Sequence, residues 1–176
     1  MCKNSEIERN DEQPLLERLE AYGRTDVYPF HMPGHKRRLA PKEMGHLYEM
    51  DITEIDGFDN LHEPEGILKD AQLFAAELYH SEETAFIVNG STAGLLAAIA
   101  GICRDGGEIL AARNCHKAVY HAIELHHLKP YYICPPINTK YGINEGIYPQ
   151  DVEKMWITHQ NIQAIVITSP TYDGVV

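Results

Sequence analysis

The chain has 176 residues, the length of one ordinary domain, and 44% of them are hydrophobic. Its formal net charge is −11 with no basic run, which argues against nucleic acid or an anionic membrane surface as the main partner. No stretch approaches the ~20 apolar residues of a membrane span. The polar, charged segment Met1 to Gln13 does not read as a secretory signal, so a soluble, cytoplasmic protein is expected.

The pattern predicts a short amphipathic helix over Pro14 to Tyr22, with Leu15, Leu16 and Leu19 on one face, Pro14 in its first turn and Gly23 at its end. Arg24 to Glu65 shows no clear period. It carries His-Met-Pro-Gly-His and many acidic residues, and an irregular stretch of that length is often functional. From Gly66 the pattern is regular. Ile67, Leu68, Ala71, Phe74, Ala75 and Leu78 recur at helical spacing. Thr84 to Val88 reads as a buried strand, Thr92 to Cys103 as a helix and Glu108 to Ala112 as a strand. His116 to His127 reads as a helix with Val119 and Ile123 inward, and Pro130 to Cys134 as a third strand. Asn138 to Tyr148 reads as a loop, Pro149 to His159 as a helix and Ala164 to Thr168 as a fourth strand. Strand and helix alternate, which implies βαβ units: an α/β fold with a mainly parallel sheet and flanking helices. The expected division is residues 1–65, an N-terminal helix and irregular segment, and residues 66–176, the α/β part. The end at Asp173-Gly174-Val175-Val176, just after a strand and with no closing helix, reads as a truncation.

Cys2, Cys103, Cys115 and Cys134 show no C-x-x-C spacing, so neither a zinc knuckle nor a redox dithiol is suggested, and reduced cysteines are expected. His31 and His35 are four apart, but Pro33 and Gly34 break any helix between them; no metal site is expected.

Three polar segments fall where a parallel sheet binds ligands, beyond the carboxyl ends of strands. Asn89-Gly90-Ser91-Thr92-Ala93-Gly94 opens a helix. Free backbone N–H groups and the positive end of the helix dipole make such a turn an anion site, and Ser91 and Thr92 add hydroxyl donors. The segment also fits a plain helix cap. It is neither a Walker A loop nor the G-x-G-x-x-G fingerprint. Arg113-Asn114-Cys115-His116-Lys117 follows the next strand, where the His116 imidazole can stack on a flat ring or simply cap a helix. Ser169-Pro170-Thr171-Tyr172-Asp173-Gly174 follows the last strand. The carboxylates Asp51, Glu54, Asp56, Asp59, Glu63 and Glu65 read as a solvated acidic stretch, not a catalytic pair.

These segments carry a resemblance. Pro29-Phe30-His31-Met32-Pro33-Gly34-His35-Lys36, Asp51-Ile52-Thr53-Glu54, Asp59-Asn60-Leu61-His62, Asn89 to Gly94, Arg113 to Lys117 and Pro170 to Gly174 occur in the order that resembles the ornithine/lysine/arginine decarboxylase family. The resemblance runs from about Pro29 to Val176. It implies the first part of the large domain of the aminotransferase-like (fold type I) fold. It implies pyridoxal 5′-phosphate (PLP) as cofactor, with Ser91, Thr92 and Ala93 holding the phosphate and His116 stacking on the pyridine ring. It implies decarboxylation of lysine, arginine or ornithine by a longer enzyme, as a homodimer or higher homo-oligomer in polyamine metabolism. The stretch from His31 to Glu65 would pack near the active site. The Schiff-base lysine and the aspartate paired with the pyridine nitrogen are expected beyond the C-terminus, because Lys36 and Lys117 belong to other motifs. An aminotransferase or carbon–sulfur lyase of the same fold, a non-catalytic truncated remnant, and an unrelated phosphate-binding module stand as alternatives.

Overall fold

The computed structural model describes residues 14–37 and 42–176, so the expectations for the segment before Pro14 lie outside it. The chain forms two compact units, one ending at Phe86 and the other Ile87–Val176. The division falls later than the Glu65/Gly66 boundary expected from the hydrophobic pattern, because the helix after Gly66 packs with the first unit.

In that first unit, helix α1 is Leu15–Gly23, starting behind Pro14. A 3₁₀ turn, Lys42–Met44, leads into the short α2, Gly45–Glu49. Gly23 lies where α1 meets α2: a β-carbon there would stand 3.2 Å from the Glu49 carbonyl oxygen. Helix α3 spans Ile67–Tyr79 and ends on His80 in the left-handed conformation.

The irregular backbone before α3 is organised by one side chain. Asp59 Oδ1 accepts from Asn60 N (2.8 Å) and Glu65 N (3.0 Å), and Oδ2 accepts from Gly66 N (2.8 Å) and Leu68 N (3.1 Å). Gly66, the N-cap of α3, has no side chain with which to cap the helix, so Asp59 supplies the acceptor from seven residues upstream. The Glu65 amide, joined by those of Asn60, Gly66 and Leu68, holds the Asp59 carboxyl down at about 2 against the opposing effect of partial burial. Asp59 itself has φ +65°, a conformation that Asp and Asn tolerate.

The second unit is a three-layer α/β/α arrangement. A parallel sheet runs in the order β2-β1-β5, with β1 Glu108–Ala112, β2 Lys129–Ile133 and β5 Ile162–Val166. Residues on β1 alternate between faces. Ile109 and Ala111 join Ile99 of α4 (Gly90–Ile102), Cys103 just after it, and Val119, Ala122 and Ile123 from α5 (Lys117–Leu125) in one core. Leu110 faces the other way, into a second core with Ile133 and Ile162, backed by Val152 and Met155 of α6 (Pro149–Thr158). Ile109, Leu110 and Ala111 are wholly buried.

The pairing of β1 with β5 slips by one residue between Glu108 and Ile109, so Gln163 has no partner. That bulge moves Ile162 to the α6 face while Ala164 and Val166 stay on the α4–α5 face. The displaced Gln163 side chain accepts from Arg104 N at 2.8 Å and tethers the start of β5 to the turn before β1.

Two expectations are corrected. Thr84 to Val88 forms no strand: Phe86, Ile87 and Val88 are exposed, and among the described residues nothing pairs with this run. A strand exists only through its ladder, and none of the described strands pairs with this run. Asn138 to Tyr148 is not featureless either. Ile137–Asn138 (β3) and Ile143–Asn144 (β4) pair antiparallel across a turn that closes on Gly142, φ +71°.

Asp59 gives the first prediction. Its folded value lies below the ordinary carboxylate value of 3.8, so its contribution to stability is complete above that value and is lost as pH falls toward about 2. Asp59→Asn keeps the side chain's shape and its tolerance of positive φ, but removes the charge and replaces one of the two accepting oxygens with an NH2 donor. At pH 7 it should destabilise the first unit by about 1 kcal/mol, the scale of charge-assisted hydrogen bonds discounted for partial exposure. The deficit should shrink as pH falls below 4, measured as urea midpoints of the two chains between pH 2 and 7.

Candidate functional site

The site is built by the return paths of the parallel sheet. The amino ends of its strands are tied together: Lys129 N donates to the Gly107 carbonyl (2.8 Å) and Gly106 N to the His126 carbonyl (2.9 Å). The C-terminal ends of α4 and α5 therefore lie at the amino edge. The thirteen residues of α4 rise about 20 Å, slightly more than the roughly 16 Å of a five-residue strand. Both helices, packed on one face and in contact with each other, thus begin at the carboxyl edge. Gly90 to Ala93 and His116 are brought to the same edge.

The start of α4 has no cap. Its N-cap residue Asn89 makes no side-chain hydrogen bond to the helix, and Gly90 holds φ +70°. Ser91, Thr92 and Ala93 lie in the first turn, where the amides have no acceptor within the helix. Ser91 and Thr92 are exposed, and among the described residues neither hydroxyl has a hydrogen-bond partner. No β-carbon placed on Gly90 would come within 4 Å of another atom, so the space over the turn is open. Uncapped amides, two free hydroxyls and the positive helix end fit a phosphate group.

His116 is the N-cap of α5, with its Nδ1 accepting from Ala118 N at 3.2 Å. Capping and stacking are compatible, because the hydrogen bond uses the edge of the imidazole and leaves its faces free. The ring is exposed. Beside it, the buried Oδ1 of Asn114 has no hydrogen-bond partner among the described residues, a feature that the sequence pattern did not flag. Arg113 is fixed: its amide donates to the Ile133 carbonyl (2.8 Å), its guanidinium bonds the Tyr120 hydroxyl, and it lies 5.2 Å and 5.4 Å from the Tyr120 and Tyr132 ring centres. The Tyr120 contact holds Arg113 even more firmly protonated than usual. Burial raises the Cys115 thiol, which makes it a poor nucleophile.

The third segment is a closed turn. Thr171, buried, bonds Val175 in both directions: its amide donates to the Val175 carbonyl (2.8 Å) and its Oγ1 accepts from Val175 N (3.1 Å). Gly174 takes φ +81°, and Tyr172 is fully exposed.

In the first unit the His-Met-Pro-Gly-His-Lys segment folds on itself. The Tyr22 hydroxyl meets His31 Nε2 at 2.7 Å, Lys36 Nζ donates to the His31 carbonyl at 2.5 Å, and His35 Nε2 reaches Asp51 Oδ2 at 3.3 Å. The two histidines engage different partners. Among the described residues no cluster of three metal-ligating side chains occurs, and no helix is long and apolar enough to cross a membrane.

Comparison with known proteins now decides the family. Residues 13–176 match the family model described as Orn/Lys/Arg decarboxylase, major domain. The chain belongs to the Orn/Lys/Arg decarboxylase family. It is 36% identical to the uncharacterized protein YaaO of Bacillus subtilis, over 92% of this chain and 35% of that protein. It is 32% identical to an arginine decarboxylase of Bacillus cereus, over 93% and 37%. It is 28% identical to the inducible lysine decarboxylase of Escherichia coli K12, over 92% and 25%. The fold matches the lysine decarboxylase LdcF of Francisella novicida with a TM-score of 0.71 at 24% identity, covering 91% of this chain and 25% of that one. The chain spans about a third of the length of the Bacillus relatives it matches.

The cap predicts a separable effect of His116. His116→Ala should lower the stability of the second unit by about 1 kcal/mol, the usual cost of a lost N-cap. His116→Asn should recover most of it, since Asn is a strong N-cap. Thermal unfolding of the two variants checks this; equal losses would mean the ring, not the cap bond, stabilises α5.

Proposed function

We propose that this chain forms the phosphate-holding part of a PLP-dependent decarboxylase acting on a basic amino acid. The observation that carries the reading is the uncapped first turn of α4, with the free hydroxyls of Ser91 and Thr92, at the same sheet edge as the exposed ring of His116. Family membership and the names of the decarboxylase relatives support the same chemistry. When bound, PLP supplies an electron sink for the carbanion left as carbon dioxide departs. The protein's part is positioning. Ser91, Thr92 and the Ala93 amide would hold the phosphate; their hydrogen bonds are charge-assisted and reinforced by the helix dipole. The His116 ring would lie against the flat pyridine. Its cap bond to Ala118 fixes the ring's attitude before any ligand arrives, so little side-chain entropy remains to be lost on stacking. A cytoplasmic setting and a homodimeric or larger assembly belong to the same proposal.

The test needs no turnover. The chain should bind PLP at least about tenfold more tightly than pyridoxal, which lacks the phosphate, tenfold being worth about 1.4 kcal/mol or roughly one charge-assisted hydrogen bond. Ser91→Ala with Thr92→Val should remove that preference, read by equilibrium dialysis. Equal affinity for PLP and pyridoxal in the unaltered chain would contradict the proposal. The 176-residue chain by itself should release no carbon dioxide from lysine, arginine or ornithine, because neither Lys36 nor Lys117 stands in the motif that carries the cofactor.

A further inference from the structure

Tyr120 closes the turn that carries His116. It lies on α5 four residues after the cap, so the two share one face of the helix. Helix side chains tilt back toward the amino end of their helix, which brings the Tyr120 hydroxyl over the turn. That hydroxyl donates to the Arg113 carbonyl at 2.8 Å and accepts from the Arg113 guanidinium. The Cys115 thiol interacts with the same hydroxyl. The backbone and the side chain of Arg113 therefore converge on one oxygen.

The clamp is anchored on the sheet, and all of it lies within the second unit. Tyr132 of β2 pairs beside Ala111, on the face that packs against α5. Its ring centre lies 5.9 Å from that of Tyr120, with 30° between the planes, and the Arg113 guanidinium stands over both rings. One half-buried side chain thus joins α5, the turn and β2.

The turn has reason to open without it. Two of its own bonds are toward the long end of the usual range: Cys115 N to the Ala112 carbonyl at 3.1 Å, and Ala118 N to His116 Nδ1 at 3.2 Å. It also holds Asn114 Oδ1 buried without a partner among the described residues. An unpaired buried acceptor favours opening, because opening would wet it.

We infer that Tyr120 is a positioning residue: its hydroxyl keeps the Arg113–Lys117 turn closed and so fixes the attitude of the His116 ring. The closure does not depend on a cofactor. Its purpose, presenting that ring to a flat pyridine, rests on the proposed function.

The experiment is amide hydrogen exchange on the chain without cofactor, with Tyr120→Phe as the variant, since it removes the hydroxyl and keeps the ring. In the unaltered chain the Cys115 and Ala118 amides should exchange within about tenfold of the interior of α5. Exchange there at the rate of an open loop would overturn the assignment without any variant, and so decides the matter even if Tyr120→Phe fails to fold. In Tyr120→Phe those two amides should exchange about fivefold to tenfold faster, the scale of one hydrogen bond. The Gly106 and Lys129 amides, at the opposite edge of the sheet, should not change. A uniform rise across the unit, or no rise at Cys115 and Ala118, would overturn the inference. Pyridoxal should bind the variant about threefold or more weakly, because the His116 ring must then be ordered on binding. Inorganic phosphate, held at the first turn of α4, should bind both chains alike; a loss as large as that of pyridoxal would mark general damage and overturn the positioning role. Fast local exchange in the variant, together with equal affinity of the unaltered chain for PLP and pyridoxal, would uphold the clamp and overturn the cofactor reading alone. A clear preference for PLP with unchanged exchange would overturn the clamp alone.

Discussion

Parallel pairing is the constraint from which the rest of this chain follows. Neighbouring parallel strands cannot be joined by a tight turn; each connection must travel back to the amino edge before the next strand begins. In the second unit α5 makes that return from β1 to β2, and α6 makes it before β5. Everything that follows a strand therefore collects at one edge. Arg113 to Lys117 follows β1 and Ser169 to Gly174 follows β5, and α4, which leads into β1, starts at that same edge. The edge gathers polar turns because the topology leaves them nowhere else.

The core explains why the edge is rigid enough to use. β1 is buried on both faces and paired on both sides, with Ile109 and Ala111 under α4 and α5 and Leu110 under α6. The helices are fixed by that packing and not by their caps, which is why α4 can leave its first turn without one. Asn89 offers no bond to the helix. A helix end exposed in this way has its amides available to a ligand. By contrast, α5 and α3 satisfy their starts internally, through His116 and through Asp59.

Much of this was legible because buried strands and helices write themselves as pattern. The β1 run, Glu108–Ala112, is bounded by Gly107 and Arg113, and α5 shows Val119 and Ile123 at the spacing that buries them. The polar segments at the strand ends carry the resemblance, and the comparisons place the chain in the family those segments resemble. What pattern could not supply was partnership. Thr84 to Val88 has the composition of a strand but no ladder. Asp59 looked like one more solvated carboxylate, although it organises the backbone before α3; its signal was its place upstream of a helix whose cap position, Gly66, has no side chain. The hairpin at Asn138 was hidden because its strands are two residues long, too short for alternation to register; Asn138 followed by Gly142 was the available clue. The bulge at Gln163 left no periodic trace, yet it sets which face Ile162 serves.

The central claim is that the bare first turn of α4 and the ring of His116 form one cofactor site. A crystal structure of this chain grown with PLP tests it most directly. The account predicts the phosphate within hydrogen-bond distance of the Ser91, Thr92 and Ala93 amides, with the pyridine ring against the face of the His116 imidazole and the His116–Ala118 bond intact. A phosphate bound away from α4, or a ring that leaves His116 uncovered, would contradict it.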